Sequence, residues 1–165
     1  MIIKMELLGL TWDHPRGIDP LRAVSEEYER ANGTRVRWEA RPLWSFEDTP
    51  LTELSERYDI LAIDHPSIGD AVKAGAIVPL DAYLSAEQLA DRAGDSAGAS
   101  YLSYSWQGQQ WALGVDAACM VTAFLSGEVD EADIPAHWSD IAGFSARVGR
   151  ESVLLPANPT HLLCT

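Results

Sequence analysis

The chain has 165 residues, 47% hydrophobic and 22% charged, which is the make-up of an ordinary globular domain, or of one lobe plus the opening of a second, and not of a disordered tract. Twelve Lys and Arg against twenty-five Asp and Glu give a formal net charge of −13, a field that repels phosphate backbones and anionic membrane surfaces and argues against nucleic acid as a partner. Cys119 and Cys164 are too few for a disulfide framework and form no CxxC pair, and no window reaches the length of a membrane span.

In chain order, Met1 to Glu6 places a carboxylate where a signal peptide needs unbroken apolar residues, so the chain as written reads as lacking an export signal. Met5 to Thr11 reads as a buried strand ending in a turn. Asp19 as cap with Pro20 at the first helical position predicts a helix, with Leu21, Val24 and Tyr28 on one face and Asn32-Gly33 as its stop. Thr34 to Ala40 reads as a second strand. Thr49-Pro50 opens a helix with Leu51, Leu54 and Tyr58 on one face, and Ile60 to Ile63 has the length of a strand buried on both sides. A third helix follows between Ser67 and Gly75.

Strands alternating with helices predict a parallel sheet covered on both faces, since parallel neighbours need crossover connections. Beyond Gly75 the alternation loosens. Val78 to Asp81 reads as a short extended piece, Ser85 with Gln88 as a capping box for a helix towards Gly94, and Ser96 to Ser105 mainly as loop. Trp106-Gln107-Gly108-Gln109 reads as a tight turn between extended pieces, and Ala117 to Leu125 as a longer strand. Glu128 to Asp133 reads as a solvated acidic loop, Pro135 to Ile141 as a helix and Val153-Leu154-Leu155 as a last strand.

Four segments in this order resemble the carbohydrate-type extracellular solute-binding proteins of ABC importers: Tyr58-Asp59 with the apolar run to Asp64, Gly75-Ala76-Ile77-Val78-Pro79-Leu80-Asp81, Trp106-Gln107-Gly108-Gln109-Gln110-Trp111-Ala112-Leu113, and Ile134-Pro135-Ala136-His137-Trp138-Ser139-Asp140-Ile141. Gly114 stands where that family carries proline, and its tyrosine-asparagine pair is missing near Phe124. The resemblance implies an α/β, periplasmic-binding-protein type II-like fold, truncated to one lobe plus the beginning of a second. A first, incomplete lobe would cover residues 1–112, a hinge crossing 113–116, and the start of the second lobe 117–165. It further implies a small polar solute, a sugar, bound between lobes, ABC permease subunits as partners, and a periplasmic or extracellular location. No cofactor or metal is expected.

Asp-His-Pro occurs twice, at Asp13-His14-Pro15 and Asp64-His65-Pro66, each just past the carboxyl end of an expected strand, the edge where parallel α/β sheets bind ligands. Asp13 and Asp64 can accept paired hydrogen bonds from hydroxyls, His14 and His65 can donate or accept, Arg41 supplies a fork of donors, Trp12 offers an apolar ring, and Asp116 reaches the crevice from the hinge. Each residue also has a plain structural role: Asp before Pro initiates turns, histidines satisfy loop backbone, and Trp12 can be core, as can Trp38, Trp44, Trp111 and Trp138. Arg16 reads as a loop charge beside the crevice.

A binder is favoured over an enzyme. The rival is a metal-dependent hydrolase with Asp13, His14, Asp64 and His65 as ligands, but the chain has no HExxH spacing, no GxSxG elbow and no glycine-rich phosphate loop. A third reading is a cytoplasmic ligand-sensing domain of the same fold.

Overall fold

A computed structural model describes residues 5–42, 45, 49–118, 121–149 and 153–154. Trp44, Cys119, Leu155 and Cys164 lie outside the described residues. Two compact units are present, Met1–Ala117 and Ala118–Thr165.

In the first unit, strand β1 (Glu6–Trp12) is central in a three-stranded sheet. It pairs in parallel along its whole length with β2 (Arg35–Arg41), from Glu6 opposite Arg35 to Trp12 opposite Arg41, and on its other side with β3 (Ile60–Leu61). β3 is shorter than the expected run to Ile63, and Asp59 extends its attachment: its N–H donates to Leu8 O and its carboxylate accepts from Leu8 N–H, both at 2.8 Å. A side chain here continues a ladder that the strand itself has not yet begun.

Helix α1 (Pro15–Asn32) starts a turn earlier than its sequence indicates. His14, not Asp19, is the cap: its Nδ1 accepts the Arg16 N–H at 3.1 Å. Pro15 takes the first helical position, where no N–H is needed, so Pro20 falls inside the helix and removes one internal bond. The face turned to the sheet is corrected with the start. Ile18 is buried and Leu21 and Ser25 are half-buried, whereas Val24 and Tyr28 are 68% and 47% exposed. Trp38 explains the preference for Ser25, because its indole N–H donates to the Ser25 hydroxyl at 2.8 Å. The same indole covers Gly9, where an added Cβ would lie 2.5 Å from the ring. Gly33 ends the helix with φ of 74°, and its N–H donates to Glu29 O.

The opposite face of the sheet holds the hydrophobic core. Leu10, wholly buried, packs with Leu54 and Tyr58 of the segment α2 (Leu51–Arg57) and its cap, with Leu8, Leu51 and Leu61 around them. A 3₁₀ turn (His65–Ser67) leads into α3 (Ile68–Lys73), and α4 (Ala86–Gly94) carries the full Ser85–Gln88 capping box. Leu80–Ala82 is a 3₁₀ turn rather than an extended piece. The loop before the hairpin contains another, Leu102–Tyr104. Strands β4 (Ser105–Trp106) and β5 (Gln109–Gln110) pair antiparallel across Gln107 and Gly108, with φ of 52° and 79°. Positive φ at both central residues is what a two-residue hairpin needs to match strand twist.

The second unit holds 3₁₀ turns at Glu131–Asp133 and Trp138–Asp140 and helix α5 (Ile141–Val148). Three expectations fail here: the helix read over Pro135 to Ile141 instead begins at Ile141, after a 3₁₀ turn, and two expected strands are missing. Among the described residues, Ala117 to Leu125 forms no strand, and neither do Val153 and Leu154. A strand exists only through a ladder partner, and none pairs with these segments; Val121 and Leu125 are 78% and 75% exposed.

Candidate functional site

Of the predicted residues, Trp12, Asp13 and His14 stand at or just past the carboxyl end of β1, Arg41 at that of β2, and Asp64 and His65 three and four residues past β3. Asp13 continues β1, its N–H donating to Arg41 O at 2.7 Å. Thr11, wholly buried, ties this end to α1 by donating to Gly17 O at 3.2 Å. The Trp12 indole lies on Gly17, where an added Cβ would come within 2.5 Å of the ring and 2.8 Å of the Trp12 carbonyl. Glycine is therefore required for α1 to begin so close to the strand. His14 is committed to its cap through Nδ1.

Arg41 is beside Trp12 in register, but its guanidinium sits over Tyr58, 5.8 Å from the ring centroid and 3.5 Å from the hydroxyl. Tyr58 donates to Glu39 at 2.7 Å, and Arg57 donates to the same carboxylate oxygen at 2.8 Å. The Tyr58 hydrogen bond, with Arg57 and Arg37 nearby, holds the Glu39 carboxyl below its usual value despite some desolvation. Burial, then the Glu39 hydrogen bond, raises Tyr58.

His65 meets Tyr104 apart from these residues, and the charges of Asp64 and Asp116 act on the same phenol. Asp64 precedes the turn at His65, and its exposed carboxylate forms no cap bond. The Tyr104 hydroxyl donates to Ile63 O at 3.0 Å, and the His65 ring meets the Tyr104 ring edge-on, with centroids 6.4 Å apart. Burial raises the Tyr104 pKa first, and the charges of Asp64 and Asp116 raise it further. Burial and the two carboxylate charges thus hold the phenol protonated. Arg16 pairs with Asp116 at 2.9 Å, the Asp116 side chain being 24% exposed.

The surroundings of Tyr104 therefore offer the carboxylates of Asp64 and Asp116, the His65 imidazole and the Arg16 guanidinium, acceptors and donors suited to a ligand rich in hydroxyls. Among the described residues, no bond or ion pair joins the Asp13–His14 pair to the Asp64–His65 pair. Nor do three or more His, Cys, Asp or Glu gather closely enough to hold a metal. Sequence reasoning missed Tyr104, which sits in a stretch of small and polar residues that reads as loop, and set Arg16 aside as a loop charge. The adjoining hairpin motif was the available signal for Tyr104, since it fixes the chain immediately after it.

No family model and no curated protein matches the chain. Among solved structures, the fold is similar to that of the Thermus thermophilus maltotriose binding protein bound with maltotriose, with a TM-score of 0.50 and 17% sequence identity, over 64% of this chain and 27% of that one. At that identity the likeness is one of fold: the chain shares mixed α/β architecture with a sugar-binding protein and spans 27% of its length.

Proposed function

We propose that this chain binds a small polar solute, a sugar, at the carboxyl edge of its parallel sheet, as part of a two-lobed substrate-binding component of an ABC-type importer. The observation that carries the reading is the seating of Tyr104 on Ile63 O and against the His65 ring, just past the carboxyl end of β3, where the charges of Asp64 and Asp116 act on it. Carboxylates accept from sugar hydroxyls, a guanidinium donates, and a polar ligand gains affinity only where each buried hydroxyl is paired. The α/β likeness to a maltotriose-binding protein is consistent with it. In the full mechanism, residues 113–116 serve as a crossing to a second lobe, solute stabilises the closed arrangement, and a membrane permease recognises that form outside the cytoplasm. Closure shifts only as far as the ligand's differential affinity allows. Contacts from one lobe alone give weak binding, in the millimolar range.

The test is an NMR titration of the isotope-labelled chain with maltotriose and a panel of monosaccharides, repeated on Asp64→Ala and Asp116→Ala. Saturable shifts at residues 13–16, 64–66 and 104 that vanish in either variant support the reading. A chain whose spectrum stays unchanged at the solubility limit of every sugar would sink it.

A further inference from the structure

β2 is the terminal strand of the three-stranded sheet, and among the described residues it pairs only with β1. The register fixes which main-chain groups that pairing uses. Arg35 N–H donates to Met5 O, and Arg41 O accepts from Asp13 N–H. In a parallel pair one residue in two faces the neighbouring strand, so Arg35, Arg37, Glu39 and Arg41 turn their backbone groups to β1, and Val36, Trp38 and Ala40 turn theirs outward. No described residue bonds to that outer row. At about 3.3 Å per residue, the open edge runs for roughly 20 Å.

The side chains along this edge carry a charge opposite to that of the chain as a whole. Arg35, Arg37, Glu39 and Arg41 alternate onto one face of β2. Arg37 lies 3.4 Å from Glu39 and 3.7 Å from Glu6, and Arg57 reaches the Glu39 carboxylate from α2 at 2.8 Å. Two carboxylates thus serve Arg37 and Arg57. Arg35 and Arg41, at the two ends of the strand, have no carboxylate within ion-pair distance among the described residues. Four of the twelve basic residues therefore border one strand of a chain whose formal net charge is −13.

Charged side chains on an edge strand guard it against pairing with its own copies, since two β2 edges would set arginine beside arginine. That guard is selective. An extended segment bearing carboxylates meets attraction where a second β2 meets repulsion, and the acidic remainder of the surface turns such a segment away elsewhere. We propose that the outer edge of β2 is a docking site for an extended acidic segment of a partner protein, which adds a strand through the main-chain groups of Val36, Trp38 and Ala40 and sets carboxylates beside Arg35 and Arg41. Glu39 disfavours a further carboxylate between them, so the segment that fits is acidic at its ends and neutral at its centre. This docking site is separate from the solute site and stands or falls independently of it.

The probe is an acetylated, amidated peptide as long as β2, with glutamate at both ends and alternating threonine and valine between, titrated into the isotope-labelled chain and followed by NMR. Expected are saturable shifts and slowed hydrogen exchange at the Val36, Trp38 and Ala40 amides, with binding that weakens as salt is added. Arg35→Glu, at an exposed position without an ion pair, should weaken binding about tenfold, and Arg35→Lys should retain most of it. A peptide with lysine at both ends, and one with N-methylated backbone, should not bind. Tight binding of either control, binding that leaves the three amides unshifted, or no binding of the glutamate peptide would each overturn the assignment and leave the arginines as an edge guard alone.

Discussion

Asp81 and Gln110, 29 residues apart, meet through a 2.7 Å hydrogen bond from the Gln110 N–H to the Asp81 carboxylate. The Gln110 side chain, itself 3% exposed, is fully engaged: its amide donates to the carbonyls of Tyr101 and Ala112, and its oxygen accepts from Ser105. Two segments that look unrelated along the chain, the Pro79-Leu80-Asp81 turn and the Trp106–Trp111 hairpin, thus form one joint. Replacing Asp81 by Ala strands a buried N–H and should cost about 1–3 kcal/mol. Denaturant unfolding of Asp81→Ala and Asp81→Asn measures this; Asn, which keeps an acceptor, should recover most of the loss, and equal losses would show that the charge, not the bond, matters.

Gly17→Ala should destabilise the first unit by about 1–3 kcal/mol, because the new methyl group meets both the Trp12 ring and its carbonyl. The carbonyl cannot rotate aside as a side chain can. Gly94→Ala, where nothing lies within 4 Å, is the control. Thermal melts of the pair should separate clearly; coincident melts would mean that α1 shifts freely at its start.

Alkaline stability carries the signature of the two raised tyrosines. Tyr58 and Tyr104 ionise less readily in the fold than at their ordinary value of 10.0. Above that pH the unfolded chain loses its phenolic protons first, so stability is complete below it and declines as pH rises through the window up to the folded values. Tyr104→Phe should flatten part of this slope. Its measure is the unfolding free energy across the alkaline range, and an unchanged slope would mean that neither burial nor the two carboxylates hold the Tyr104 proton in the fold.

On the acid side, Glu39 behaves in the opposite sense. Its lowered carboxyl contributes stability above the usual value of 4.5, lost as pH falls through the folded one. Glu39→Gln should therefore weaken the acid-side dependence of stability. An unaltered acid limb in that variant would place the titration elsewhere.

Arg16→Gln should change stability by about 1 kcal/mol or less, since the Arg16 side chain is 58% exposed and water screens its end of the pair. Its effect belongs to the site: the Asp116 carboxylate loses the cation 2.9 Å away, and the Asp116 side-chain NMR signals should shift at neutral pH. Unchanged Asp116 signals would mean that the pair is not populated in solution.

What the sequence made legible were features with a local physical cause. Ser85 and Gln88 announce their capping box because the bonds join residues three apart, and Gln107-Gly108 announces its turn through backbone geometry. The parallel order followed from strand–helix alternation. The start of α1 was misplaced because Asp19-Pro20 carries the same local signal as His14-Pro15, and only the packing of Trp12 on Gly17 decides between them. Ala117 to Leu125 has an apolar strand pattern, yet pattern supplies no partner. At the edge, Asp64, His65 and Asp116 were visible as chemistry, whereas Tyr104 joins them through a contact spanning 41 residues that no spacing rule encodes. The Arg41 fork was readable, but its attachment to Tyr58, 17 residues away, was not.

Because β1 is the middle strand, both of its partners come later in the chain, at Arg35–Arg41 and Ile60–Leu61. On the ribosome, at about 5–20 residues per second, Leu8 and Leu10 wait several seconds for the strand that completes their pairing. During that interval the most apolar part of the nascent chain has no neighbour to cover it. A chaperone that binds short extended apolar stretches would find its opening there, at the residues that become the centre of the finished sheet.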